Sequence, residues 1–98
     1  MKNIKTIQPL NLKDGGHIPQ GSTIQFVRHS ESDHIGVFSY NGRELEMQYR
    51  KVIKNPSDRS LEKWTIDSVC KSVFGNNVEP DGYGPEGEPS WLLAVGLI

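Results

Sequence analysis

The sequence predicts an α+β domain. A small twisted antiparallel sheet or partly closed barrel is expected over residues 1–54, packed against one amphipathic helix and a short apolar C-terminal helix. Three observations carry this expectation. Asn41-Gly42 lies between two runs with strand character, residues 34–40 and 43–53, and both residues tolerate the positive φ angles of a type I′ hairpin turn. Ile66, Val69, Cys70, Val73 and Phe74 recur at the spacing of one helix face. Residues 91–98 are apolar on every side, the mark of a buried segment. At 98 residues the chain is one domain's worth of material. Leu, Ile, Val and Phe make up 25 of the 98, enough for a thin core and above the ~20% at which disorder becomes the default.

The elements follow in order. Residues 3–12 carry Ile4, Ile7, Leu10 and Leu12 around Pro9, which suits an edge strand or an extended arm. Asp14-Gly15-Gly16 and Pro19-Gln20-Gly21-Ser22 read as turns. Thr23 to His29 reads as a strand, with Ile24 and Phe26 on one face and Thr23, Gln25 and Val27 on the other. The two-residue turn fixes the hairpin register: Tyr40 faces Arg43, Phe38 faces Leu45, Gly36 faces Met47 and His34 faces Tyr49. Val37 opposes Glu46 and Ile35 opposes Gln48 on the other face, and Gly36 leaves room over Met47 or marks a bulge. The stop at Asn55-Pro56-Ser57-Asp58 allows a helix to begin at Ser57, but that start turns Leu61 and Trp64 away from the apolar stripe. The helix is therefore expected over residues 65–75, with Thr65 as N-cap, Trp64 stapled onto Val69, and Gly75 or Asn76 at its end; a short turn of helix from Ser60 to Trp64 is the option ahead of it. Residues 76–90 are expected to form an irregular acidic Gly/Pro loop on the surface. Ser90 then caps a short helix in the buried segment 91–98, with a closing strand as the rival form.

Composition limits the function classes. The formal net charge of −1 gives no global attraction for nucleic acid. It divides into +3 over residues 1–75 and −4 over residues 76–98, an asymmetry that reads first as solvated surface and second as two different contact faces. No apolar stretch follows the N-terminal residues, no run approaches the ~20 residues of a membrane helix, and one cysteine forms no internal disulfide. These features lead to the expectation of a cytoplasmic protein with no membrane partner.

The residues that could carry chemistry give no catalytic signature. Cys70 needs an activating histidine to act as a nucleophile, but it falls in the apolar stripe and reads as core. His29 and His34 bracket Ser-Glu-Ser-Asp33 without the paired ligand spacing of a zinc site, and His17 stands apart. Glu79, Asp81, Glu86 and Glu88 lack the ligand pattern of a calcium loop. Gly82, Gly84 and Gly87 sit among carboxylates that repel phosphate. No cofactor, metal or catalytic residue is expected.

Two binding readings are left. Tyr83 among Glu79, Asp81, Glu86 and Glu88 forms an acidic, aromatic-bearing segment suited to a protein partner, with Trp64 and Trp91 flanking it. The alternative is a nucleic-acid-binding module in which Tyr49 stacks on a base and Arg50, Lys51 and Lys54, with Arg59 nearby, follow the backbone. Self-association through an edge strand near Pro9 or Thr23 is a further option.

The turn, hairpin and strand pattern of residues 17–54 resembles the small barrels of the SH3-like superfold, a likeness of fold that implies no activity. A short, nearly neutral chain without a catalytic signature is also similar in style to accessory or inhibitor proteins of phages and mobile elements. No residue motif carries that second likeness, and no site residue follows from it.

Overall fold

The computed structural model describes residues 2–12 and 15–98. It contains strands β1 (Asn3–Lys5), β2 (Leu10–Asn11), β3 (His17–Ile18), β4 (Thr23–His29), β5 (Ile35–Tyr40) and β6 (Arg43–Gln48), then helices α1 (Tyr49–Val52) and α2 (Asp58–Ile66). Strands β7 (Cys70–Lys71) and β8 (Asn77–Val78) and helix α3 (Trp91–Ala94) complete the chain. A four-stranded antiparallel sheet in the order β1-β4-β5-β6 is flanked by two small hairpins, β2-β3 and β7-β8. The α+β class stands. No helix among the described residues is long and apolar enough to cross a membrane.

The β5-β6 hairpin has the expected register from Tyr40 opposite Arg43 to Ile35 opposite Gln48; the expected His34–Tyr49 pair falls outside the strands, where the Tyr49 N–H still donates to the His34 carbonyl. Its turn is built by Asn41 at φ 50° and Gly42 at φ 77°, the left-handed pair that a type I′ turn requires. Register and turn together put Phe38 and Met47 on the buried face, where Phe26 packs edge-on to Phe38 at 5.6 Å between ring centroids. Phe74 closes on the other side of Phe26 at 4.9 Å.

The second strand run ends sooner than expected. It was to continue to residue 53, but the chain coils at Tyr49 into the single turn of α1. Tyr49 and Val52 explain the change. Spaced i, i+3, they share one face of a helical turn and both are fully buried; in a strand they would point to opposite sides. Gly36 does leave room, but for the Tyr49 ring: a Cβ there would lie 2.7 Å from Tyr49 Cε1.

The principal helix also lies elsewhere. It covers Asp58–Ile66, not residues 65–75. Ser57 is its N-cap, accepting a hydrogen bond from the Ser60 N–H at 3.2 Å, with Asp58 in the first turn at the positive end of the helix dipole. Thr65 caps nothing; its hydroxyl donates to the Glu62 carbonyl. The expected stripe is dismantled. Ile66 is 86% exposed and Val69 is exposed, so no staple joins Trp64 to Val69. Cys70 and Val73 do enter the core, but from β7 and the turn after it. Six of the eleven residues from 65 to 75 that were to be helical are β-branched, aromatic or cysteine, all weak helix formers. The Ser57 cap with charged residues behind it is the stronger start signal.

Residues 76–90 are not an irregular loop. They open with β8, make two tight turns and return through isolated bridges pairing Tyr83 with Pro89 and Ser72 with Ser90. Ser90 caps α3 as expected, accepting from the Leu93 N–H at 3.1 Å, and buries Trp91, Leu92 and Ala94. The last residues depart from the buried segment that was expected, since Leu97 and Ile98 are exposed. The Pro19–Ser22 turn is present. In the Asp14-Gly15-Gly16 turn, Asp14 lies outside the described residues, while Gly15 N–H donates to the Leu12 carbonyl. β4 is an interior strand, so Thr23 offers no edge for self-pairing; the edges belong to β1 and β6.

Candidate functional site

A bulge in β4 sets up the site. The pairing steps from Phe26 opposite Phe38 to Arg28 opposite Val37, leaving Val27 as the extra residue. The bulge reverses the alternation after Phe26, so Arg28 turns to the outer face and His29 to the inner one, opposite Gly36. The space over Gly36 admits the Tyr49 ring. It stacks on His29 at 5.7 Å, and its hydroxyl meets His29 Nδ1 at 2.7 Å. On the other side, His29 Nε2 faces Asp33 Oδ1 at 3.2 Å. The same carboxylate oxygen accepts a hydrogen bond from the Tyr83 hydroxyl at 2.8 Å, which ties the β4-β5 loop to the C-terminal third of the chain.

Electrostatics follow from this geometry. The Tyr83 hydrogen bond, then that from His29, holds the Asp33 carboxyl below its usual range. The bond to Asp33 raises the Tyr83 phenol, helped by desolvation and by the charges of Asp33 and Asp81. Burial is the main cause that raises the Tyr49 phenol, with the negative charges of Glu88 and Asp33 adding to it. The chain Asp33–His29–Tyr49 has the order of a carboxylate–imidazole–hydroxyl relay. It ends on a fully buried phenol, and that burial is the main cause that raises its pKa. These groups tie the strand end and the two loops together.

A second polar cluster shapes the segment bearing Tyr83. Glu88 is fully buried, and its carboxylate accepts from Ser72 Oγ at 2.8 Å, Asn76 Nδ2 at 2.7 Å and the Glu86 N–H at 3.0 Å. Gly84 lies against it, where a Cβ would collide with the carboxylate. Ser90 Oγ donates to the Pro80 carbonyl, and Ser90 N–H donates to the Gly82 carbonyl. The acidic segment is thus wrapped around one of its own acids.

The structure separates the residues expected to bind protein. Glu79, Asp81 and Glu86 are exposed and Tyr83 is 50% exposed, while Glu88 holds the segment from inside. Of the glycines Gly82, Gly84 and Gly87, Gly84 lies against the Glu88 carboxylate, Gly82 against the Glu79 backbone, and Gly87 faces open space. The expected nucleic-acid set also divides. Arg50, Lys51 and Lys54 are exposed on and after α1, and Arg50 Nε donates to Gln48 Oε1. Tyr49 is buried beneath them, so its ring offers no face to a base. Cys70 is buried, as its place in the apolar pattern suggested.

His34 turns from His29 to the end of α3, its Nδ1 lying 3.0 Å from the Ala94 carbonyl oxygen, under Gly96. Among the described residues no group of three or more His, Cys, Asp or Glu is placed to hold a metal ion. The Asp33–Tyr83 bond, spanning 50 positions, had no local signal; only the i, i+4 spacing of His29 and Asp33 hinted at the cluster. No family model, curated protein or solved structure matches the chain.

Proposed function

We propose that this chain is a non-enzymatic binding domain whose partner is another protein, and that the contact is the segment 79–86. The observation that carries the reading is the buried Glu88 carboxylate. It fixes a surface turn that presents Glu79, Asp81, Glu86 and the half-exposed Tyr83. A turn held in this way loses little conformational entropy on docking, and a tyrosine ringed by carboxylates suits a partner with a basic, partly apolar patch. The protonated, buried end of the Asp33–His29–Tyr49 chain and the buried Cys70 support a binding role over catalysis. A cytoplasmic setting, and a role as a small accessory or inhibitor protein of the kind phages and mobile elements carry, belong to the same proposal. So does the SH3-like likeness of residues 17–54, as an architecture that offers its loops to a partner.

A tagged pull-down from source lysate, split into nuclease-treated and untreated halves, tests the reading. The wild type is compared with the combined Glu79→Lys, Asp81→Lys, Glu86→Lys variant. Glu88 stays untouched, because reversing it would disrupt the turn itself. A stoichiometric protein that survives nuclease and is lost from the variant is the expected result. Equal capture by both forms would remove the segment as the contact. A second reading, nucleic-acid binding through the exposed Arg50, Lys51 and Lys54, draws on their shared exposure around α1. It predicts capture that disappears with nuclease and affinity that falls steeply with salt.

A further inference from the structure

We propose that the free edge of β6 is a second docking site, which takes an extended strand of a partner protein carrying basic side chains at alternate positions. In an antiparallel pair, residues that exchange both backbone bonds alternate with residues that exchange none. Tyr40 and Arg43 flank a two-residue turn and so form a bonded pair, which makes Phe38–Leu45 and Gly36–Met47 bonded pairs too. The Tyr49 N–H donating to the His34 carbonyl at 3.1 Å continues the alternation. It follows that the N–H and C=O groups of Glu44, Glu46 and Gln48 point away from β5. β6 ends the sheet; the Gln48 C=O accepts the first intrahelical bond of α1, while among the described residues the N–H and C=O of Glu44 and Glu46 and the Gln48 N–H meet no backbone partner. This is the row of groups that strand addition uses.

The side chains choose the occupant. Glu44 and Glu46 are exposed on the outer face, and Glu46 borders a shallow groove of about 420 Å³ that Arg28 and Glu31 also line. Arg28 is already engaged with Glu44 at 3.0 Å, and among the described residues Glu31 and Glu46 have no ion-pair partner, which leaves negative charge beside the edge. Leu45 lies between the two acids, half-buried on the inner face. A strand with a basic residue opposite Glu46, an apolar one opposite Leu45 and a basic one opposite Glu44 meets all three. Arg43 and Arg50 bracket the site, so the partner's basic positions belong at its centre.

A second copy of this chain fits poorly. The two symmetric antiparallel registers that pair five residues of β6 set Glu44 against Glu46, or Glu46 against itself. Directly opposed like charges destabilise a sheet.

The experiment titrates ¹⁵N-labelled protein with a blocked seven-residue peptide bearing lysine at positions three and five and valine between them. Binding is expected to move the amide signals of Glu44, Glu46 and Gln48 and to slow their hydrogen exchange. Methylating the backbone nitrogens of both lysines keeps the charge but removes the donors, and should weaken binding at least tenfold. The combined Glu44→Lys, Glu46→Lys variant should lose the lysine peptide by at least tenfold and accept its glutamate counterpart. The milder Glu46→Gln should weaken binding about threefold. The site is independent of the segment 79–86, so the triple variant of that segment should bind the peptide normally. The proposal is overturned if the methylated peptide binds as well as its parent, if the shifts fall on residues 79–86, if millimolar peptide moves nothing, or if sedimentation shows copies of the chain pairing through β6.

Discussion

Replacing Glu88 with alanine removes the acceptor at the centre of the segment 76–90, and the structure sets the size of the effect. Three donors lose their partner: Ser72 Oγ, Asn76 Nδ2 and the Glu86 N–H. Asn76 and Glu86 are exposed, so water replaces what they lose, whereas Ser72 is fully buried. Leaving a buried hydroxyl without its acceptor costs about 1–3 kcal/mol, and hydrogen bonds to an ionised group add roughly 1.5–3 kcal/mol before solvent compensation. Glu88→Ala should therefore cost about 3 kcal/mol and lower the melting temperature by about 12–24 °C for a domain of this size. Urea unfolding followed by Trp fluorescence reads the first figure, and amide exchange at residues 79–87 shows where the loss begins.

Gly84 supplies an internal control. Gly84→Ala alone drives a methyl into the Glu88 carboxylate and should cost about 1–3 kcal/mol, the range for overpacking. In the Glu88→Ala background that cost should nearly vanish. The reasoning is refuted if Glu88→Ala lies within about 0.5 kcal/mol of wild type with exchange unchanged, or if the two substitutions are additive.

Other predictions bear on the fold and on the His29 cluster. Gly36→Ala should destabilise by about 1–3 kcal/mol by pushing against the Tyr49 ring, as read by denaturant midpoint. Ile66→Ser should leave stability within about 0.5 kcal/mol, because Ile66 is 86% exposed; a loss of several kcal/mol would restore it to a core helix face. The Asp33 carboxyl is held below its unfolded value, so its contribution is full above about pH 4 and is lost as pH falls through the lower folded value. Amide protection around Tyr83, taken relative to the intrinsic exchange rate at each pH, should accordingly fall as pH drops below about 4, and in Asp33→Asn it should already be low at pH 7. The Tyr83 phenol is shifted the other way: its protonated form is stabilised, and that contribution is present below about pH 10 and lost as pH rises through the raised folded value. Absorbance at 295 nm should show Tyr49 and Tyr83 ionising above the ordinary phenol range, with Asp33→Asn lowering the Tyr83 step.

The sequence made legible what local chemistry decides. Asn41-Gly42 dictates its turn, and one turn with a period-two pattern sets every pair of the β5-β6 hairpin. Ser90 after Pro89 marks the start of α3 in the same way. What could not be read depended on contacts distant in sequence. The i, i+3 spacing of Tyr49 and Val52 was visible, but a helical turn there is stable only because Gly36, thirteen residues earlier, leaves space for the ring. The stripe from Ile66 to Phe74 mimics a helix face because Cys70, Val73 and Phe74, which pack from a short strand and a turn, happen to share its spacing with the exposed Ile66 and Val69. Glu88 looked like one more surface acid among four; only the Ser72, Asn76 and Gly84 environment distinguishes it. Tyr49 beside Arg50 and Lys51 looked like a stacking platform until the chain coiled and turned it inward.

The most direct test of the proposed function is hydrogen exchange of the protein bound to a partner that survives nuclease in the pull-down, compared with the free protein. The account predicts slowed exchange concentrated at residues 79–87, with the Tyr83 ring buried and residues 49–54 unchanged. Protection at residues 49–54 with none at 79–87 would contradict it and move the contact to the basic turn.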